Sequence, residues 1–376
     1  MAVGGFAIGT GEFVIMGLLP DVAADLGVTI PQAGHLISTY ALGVVIGAPV
    51  LAALCARMQR RRLLVALMAC FALGNVASAA VPGFAAVSAF RFLAGVPHGA
   101  YLGVASLVAA SLVPPHRRAQ AVGRVLLGLT AATLTGVPLA TWIGQAFGWR
   151  AAFVFVGAIG ALCAVLVWRF VPRSPGDREA SPLRELGALR SRQVLLTLAV
   201  GAIGGGGLFC VFSYVTPIMT EVAGVQATWM PAVLALFGIG MVSGNVVGAR
   251  LADRSLERTI GGVLVWNALA IGAFVVAAHA PWSAMPNVLL IGTGVALAPA
   301  LQIRLMDVAG EAQTLAAALN HSAFNVANAL GAWLGGMAID AGLGWTSTGW
   351  IGALLATTGF GIFAVTAMDA RRAAAG

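Results

Sequence analysis

The sequence contains no lysine. All 21 basic side chains are arginine, against 13 carboxylates, for a net charge of +8. Without lysine there is no G-x-x-x-x-G-K-[ST] phosphate loop and no amine for a Schiff base, so the polypeptide is not itself a P-loop ATPase pump. Charge of either sign is scarce: 9% of residues are charged, where ordinary soluble domains carry about a quarter. The four cysteines, Cys55, Cys70, Cys163 and Cys210, lie in or beside apolar runs with no C-x-x-C spacing. They read as small buried hydrophobes rather than as a disulfide or metal framework. With acids this scarce and no metal-ligand cluster or nucleophile motif, a catalytic reading finds little support, and neither a cofactor nor a metal is expected.

What the chain has in quantity is apolar sequence. Sixty per cent of its residues are hydrophobic and the mean hydropathy is +0.94, which marks an integral membrane protein. A spanning helix needs about 20 apolar residues, so the length leaves room for roughly twelve spans and no sizeable soluble domain. Apolar runs bounded by turn residues fall at 2–19, 34–56, 62–80, 84–111, 124–144, 151–170, 194–219, 231–251, 261–280, 286–305, 314–338 and 348–367. The first run is not read as a signal peptide: it has no basic n-region, carries an acid and continues into further spans. One polar stretch divides the series. The expected organisation is a six-helix bundle over 1–171, a central loop over 172–193 and a second six-helix bundle over 194–376, an all-α membrane protein of two pseudo-symmetric halves.

When alternate loops are assigned to one side, nineteen of the 21 arginines collect there and only Arg91 and Arg150 do not. By the positive-inside rule that side is cytoplasmic, with both termini inside and Asp21, Asp25, Glu221 and Asp340 outside. Topology therefore accounts for the basic isoelectric point near 10.6, and no nucleic-acid partner is needed to explain it. The halves also repeat at an offset of 197 residues. Gly47–Arg57 lies over Gly244–Arg254, Pro20 over Pro217 and Gly95 over Gly292. Equivalent helices are six spans apart, so the repeats run parallel. Glu12 falls over Phe209, so the carboxylate belongs to one half alone.

Glu12 is the one charged residue in its apolar run, and Arg91 is the only arginine deep in a span. An ionisable group in the hydrocarbon layer is costly and usually functional. Counting about 1.5 Å per residue, Arg91 lies roughly 10 Å below the outer face, and Glu12, on a span running the other way, reaches about the same depth. Glu12 is either a proton-exchanging group or a surface acid near a frayed terminus. Gly95 and His98 follow Arg91 on one helix face at i+4 and i+7. His98 is either a proton relay or a packing residue. His321, Asn325 and Asn328 form a polar stripe that either binds substrate or bonds across helices. Met16, Tyr40, Tyr101, Phe209, Phe212 and Tyr214 are candidates to line a cavity for an amphipathic or aromatic molecule, with packing or lipid contact as the other reading. Gly204–Gly207, and Gly128, Gly136 and Pro138, mark hinges or tight crossings.

Twelve spans, a polar central loop and a basic loop between the second and third spans resemble the major facilitator superfamily. Finer motifs are similar to its twelve-span drug:proton antiporter branch, of the bacterial arabinose-efflux and chloramphenicol-resistance type. These are Gly9-Thr10-Gly11-Glu12-Phe13 through Gly17-Leu18-Leu19-Pro20, Arg91-Phe-Leu-Ala-Gly95-Val-Pro-His98-Gly99, and Gly128-Leu-Thr-Ala-Ala-Thr-Leu-Thr-Gly136-Val-Pro138, the last resembling the antiporter motif. The family carries an Asp where this chain has Ala56, while the second half keeps Asp253-Arg254. The latch that the resemblance implies then rests on Arg57, Arg61 and the Asp253-Arg254 loop.

The resemblance also implies that the first and fourth spans are neighbours, so that Glu12 and Arg91 can pair, as a switch or as a static ion pair. It implies a monomeric exporter in a bacterial inner membrane, with the proton as coupling ion and small amphipathic molecules such as antibiotics as substrates. The rival expectations are a sugar exporter of the arabinose kind, a passive facilitator or importer, and a receptor or scaffold that has lost transport.

Overall fold

The computed structural model describes residues 1–55, 58–114, 118–173, 191–308 and 313–375, and among these every regular element is helical. The first unit contains α1 (Ala2–Gly17), α2 (Leu19–Leu26), α3 (Ile30–Cys55), α4 (Arg60–Ala80), α5 (Phe84–Ser111), α6 (Arg118–Ala131), α7 (Val137–Phe147) and α8 (Trp149–Phe170). The second contains α9 (Arg192–Ala199), α10 (Gly206–Phe212), all but the first six residues of α11 (Met230–Arg254), α12 (Leu256–Ala277), α13 (Pro281–Gly292), α14 (Leu297–Val308), α15 (Gln313–Asp340) and α16 (Ser347–Ala375). The compact units are Met1–Pro182 with Met230–Ala235, and Leu183–Trp229 with Leu236–Gly376. The central loop anticipated over 172–193 lies mostly outside the described residues.

Among the described residues nine helices, and the bent pair α1–α2, are long and apolar enough to cross a membrane, and α3 and α15 add helices of 26 and 28 residues where spans were expected. In hydrocarbon a chain must satisfy its own N–H and C=O groups, which an apolar helix does. Large side chains such as Leu73, Phe147, Trp282 and Trp350 stand on the outside, as a lipid-facing surface requires.

The breaks have local causes. Leu18 leaves helical geometry at φ −117° and ψ 12°, Pro20 opens the next helix, and α1 and α2 are bent by 70°. Gly27, at φ 65°, closes α2 in the left-handed conformation. A capping box opens α3: Gln32 N–H donates to Thr29 Oγ1 at 3.2 Å and Thr29 N–H to Gln32 Oε1 at 3.0 Å. Between α6 and α7, Ala132–Gly136 is a π-helical turn, and Val200–Gly204 forms another between α9 and α10.

Glycines set the closest crossings. A Cβ on Gly43 would run into the Phe92 carbonyl, one on Gly47 into the Val96 carbonyl, and one on Gly95 into the Tyr40 carbonyl, so α3 and α5 touch through backbone. The second unit repeats this 197 residues later. Gly240 meets the Leu289 carbonyl, Gly244 the Thr293 carbonyl and Gly292 the Phe237 carbonyl. Gly128 and Gly136 likewise face α1, at the Ala2 carbonyl and Thr10 Oγ1, and Gly207 faces the Gly352 carbonyl of α16. Such contacts let apolar helices pack by van der Waals forces where water supplies no drive.

Gly43→Ala is expected to lower the midpoint of thermal unfolding in detergent, at a cost of about 1–3 kcal/mol for overpacking. Gly103→Ala, where a Cβ meets nothing within 4 Å, is expected to leave it unchanged or slightly raised. Equal midpoints for the two variants would contradict the crossing described.

Candidate functional site

One guanidinium is buried among the helices of the first unit. Arg91, on α5, is fully buried. Its Nη1 donates to the Gly11 carbonyl of α1 at 3.1 Å, one residue before Glu12. Its guanidinium carbon lies 4.3 Å from the centre of the Tyr40 ring and 5.1 Å from that of Phe153. Nε and Nη2 meet no hydrogen-bond acceptor among the described residues. Two aromatic faces and one carbonyl thus take the place of water around the charge. A desolvated cation on an aromatic face gains about 2 kcal/mol and a charged hydrogen bond about 1.5–3 kcal/mol, both of which offset the cost of burial. Glu12 is 7% exposed and acts electrostatically on both Arg91 and Tyr40.

The group extends along α5. Tyr40 Oη and His98 Nδ1 share a hydrogen bond of 3.2 Å, both side chains buried. Tyr40 therefore lies against Arg91 with its ring and His98 with its hydroxyl. Helix α1 can bring Glu12 here because its neighbours are small. Gly11 faces Phe71, Val156 and Asn75, and Gly9 faces Ala132. Asn75 is fully buried, its Nδ2 donating to the Phe71 carbonyl at 2.8 Å and its Oδ1 lacking a partner among the described residues.

Other candidates lie apart from this group. Tyr101 donates to the Met1 carbonyl at 2.9 Å and sits 3.2 Å from Cys163 Sγ, inside the core of the first unit. Met16 is fully buried on α1, one turn beyond Glu12. In the second unit Phe212 stacks on Phe237 with ring centres 3.7 Å apart, beside a narrow apolar cleft lined by Val211, Val215, Val288 and Ile291. Phe209 is buried on the same helix, and Tyr214 donates to the Ala332 carbonyl at 2.7 Å. Of the stripe on α15, Asn325 donates to the His321 carbonyl of its own helix at 3.0 Å, His321 is half-buried and Asn328 is fully buried. An open apolar groove of about 440 Å³ runs along Ala2, Phe6, Arg124 and Gly128, and includes none of Glu12, Arg91 and His98.

Of the latch residues, Arg57 lies outside the described residues, as does Ala56. Arg61 is half-buried with its guanidinium 4.5 Å from the Trp168 ring centre, and Asp253 and Arg254 are exposed at the end of α11. Gly128 and Gly136 form the tight contact with α1, and Pro138 lies in the first turn of α7.

Several residues escape sequence reasoning. Phe153 and Asn75 are two, although Asn75 is a polar residue inside an apolar run and could be singled out on that ground. Arg304, counted among the loop arginines, is 6% exposed, donates to Gln193 Oε1 at 3.4 Å and lies 3.8 Å from Glu257. Arg150 pairs with Asp25, which also accepts from Trp149 Nε1 at 3.1 Å.

Comparison with known proteins places this arrangement in a family. Residues 1–313 match the sequence profile described as Major Facilitator Superfamily. The chain is 40% identical over 357 residues to the inner membrane transport protein YdhP of Escherichia coli K12, covering 95% of this chain and 92% of that one. It is 35% identical over 341 residues to the chloramphenicol resistance protein of Streptomyces lividans, covering 88% and 86%. Among solved structures, a D-xylose-proton symporter superposes with a TM-score of 0.74 at 17% identity, over 96% of this chain and 95% of that one. A bacterial homologue of the lysosomal transporter Spinster superposes at 0.75 and 16% identity, over 97% and 95%. The chain belongs to the major facilitator superfamily, as a multi-pass membrane transporter.

Proposed function

We propose that this transporter is a proton-coupled exporter of small amphipathic molecules, working by alternating access between its two six-helix halves in a bacterial inner membrane. The observation that carries the reading is Glu12: a buried carboxylate within electrostatic reach of a guanidinium that lies against two aromatic faces. Burial opposes ionisation of a carboxylate and a nearby cation favours it, so a small change in wetting or distance between the two changes its charge. A proton from outside reaches Glu12, loosens its hold on Arg91 and favours one state of the cavity. Substrate leaves outward, and the proton is later lost inside. One charge crossing 100 mV supplies about 2.3 kcal/mol, enough for a roughly fiftyfold gradient of a neutral substrate at one-to-one exchange.

The export direction and the amphipathic substrate draw support from the relative named a chloramphenicol resistance protein and from the aromatic pair Phe212–Phe237. A second reading, sugar export, draws on a relative from Mannheimia succiniciproducens, 29% identical over 357 residues and named a probable sugar efflux transporter. The buried amides Asn320, Asn325 and Asn328 offer the hydrogen bonds that a sugar needs. In either case both termini face the cytoplasm and the arginine-rich loops lie there with them.

In proteoliposomes, an imposed pH gradient is expected to drive movement of an amphipathic antibiotic by the wild type and not by Glu12→Gln, which should still exchange substrate down its own gradient. Gradient-driven transport by Glu12→Gln at the wild-type rate would refute the coupling scheme. Arg91→Lys keeps the charge but loses the planar group that two rings enclose, and is expected to slow coupled transport by about tenfold or more. A rate within twofold of wild type would show that charge alone suffices.

A further inference from the structure

A single phenol joins the charged group to the imidazole. Arg91 lies on the face of the Tyr40 ring, and the hydroxyl at the end of that ring meets His98, two helical turns or about 10 Å along α5. We propose that Tyr40 is a positioning residue which couples the protonation of His98 to the Glu12–Arg91 group; this rests on the proton-coupled reading above.

The contact geometry holds Tyr40 to both partners at once. Gly95 lies between Arg91 and His98 in sequence, and because it has no side chain the Tyr40 carbonyl rests directly against α5. Gly43 and Gly47 continue the same seam. Any rotation of the side chain that releases His98 also moves the ring under Arg91.

Chemistry then ties the two sites together. A neutral imidazole with a free lone pair on Nδ1 accepts from the phenol O–H, which places its own hydrogen on Nε2. When Nδ1 takes a proton it becomes a donor, and the phenol oxygen must accept, so its hydrogen turns away from His98. The hydroxyl thus has two settings, selected by the charge on His98 on one side and by the field of Arg91 and Glu12 on the other.

The second unit shows that packing alone does not require the hydroxyl. At the same offset of 197 residues, Glu12, Tyr40, Arg91 and His98 become Phe209, Phe237, Val288 and Val295. Gly292 still meets the Phe237 carbonyl as Gly95 meets that of Tyr40. One crossing is built twice, and only the copy with an arginine and a histidine carries a phenol. Phenylalanine fits this seam, so Tyr40→Phe should fold.

Among the described residues, Tyr40 from α3 meets His98 directly, and Glu12 from α1 and Arg91 from α5 itself act on Tyr40. Elsewhere on the helices packed against it are His35 and Cys55 on α3, Arg60, Arg61, Arg62 and Cys70 on α4, and Arg124 on α6. Tyr101, three residues beyond His98, is engaged with Met1 and Cys163.

The test is a titration of the His98 imidazole by NMR in the full-length protein in lipid nanodiscs, with its five histidines isotopically labelled and His98 assigned by its loss in His98→Gln. Glu12→Gln is expected to move the His98 midpoint, and in a Tyr40→Phe background the same substitution is expected to move it by less than about a third as much, as for coupled sites in a double-mutant cycle. An equal displacement in both backgrounds, or none in either, would overturn the proposal. Since this readout involves no transport, it stands whether or not a pH gradient drives export, and failure of the coupled reading is seen separately in the proteoliposome assay. If Tyr40→Phe melts far below wild type, His98→Gln removes the same hydrogen bond from the other side. Its transport must then lose the wild-type pH profile, and an unchanged profile would overturn the proposal equally.

Discussion

A guanidinium sealed inside a membrane protein needs something in place of water, and four residues of the first unit bear on that need. Arg91 has the Gly11 carbonyl at one nitrogen, the rings of Tyr40 and Phe153 beside its plane, and Glu12 close enough to act on its charge. Each substitute is partial. Aromatic faces and one carbonyl do not match a full hydration shell, and on the proposed reading a change in the charge of Glu12 is felt at the arginine.

The backbone makes that arrangement possible before any side chain does. Helices α3 and α5 approach through Gly43, Gly47 and Gly95, and α1 meets its neighbours through Gly5, Gly9, Gly11 and Gly128. Separation by ordinary side chains would leave Tyr40 unable to reach both Arg91 and His98. The second unit uses the same glycine seam without the charges, with Phe237 where Tyr40 stands. An ancestral crossing thus serves two chemistries: a polar chain in one half and an aromatic, apolar surface in the other.

Much of this was legible in the sequence because a membrane restricts the choices. Among the described residues the apolar runs fall on helix apart from short breaks, and the offset of 197 residues, found from a few glycines and prolines, is the offset at which the two crossings correspond. Glu12 and Arg91 stood out because charges in apolar runs are rare, and counting residues gave them a common depth. Aromatic residues were harder. Tyr40 resembles any other cavity or packing residue until its two neighbours are known, and Phe153 carries no signal that separates it from sixteen other phenylalanines. Arg304 was hidden for the opposite reason. A charge near a helix end reads as a loop anchor, and only tertiary packing against Gln193, Glu257 and Phe363 shows it buried. The break at Leu18 depends on a single residue's dihedral angles, which composition does not encode beyond the proline that follows.

The central claim is that Glu12 changes its charge while buried. Infrared difference spectroscopy on the purified protein in lipid observes this directly through the carbonyl stretch of a protonated carboxyl. The account predicts a band that grows and fades across the pH range in which transport operates, and that is missing from Glu12→Gln. A spectrum with no such band at any pH in that range, or with the same band in the variant, would contradict it.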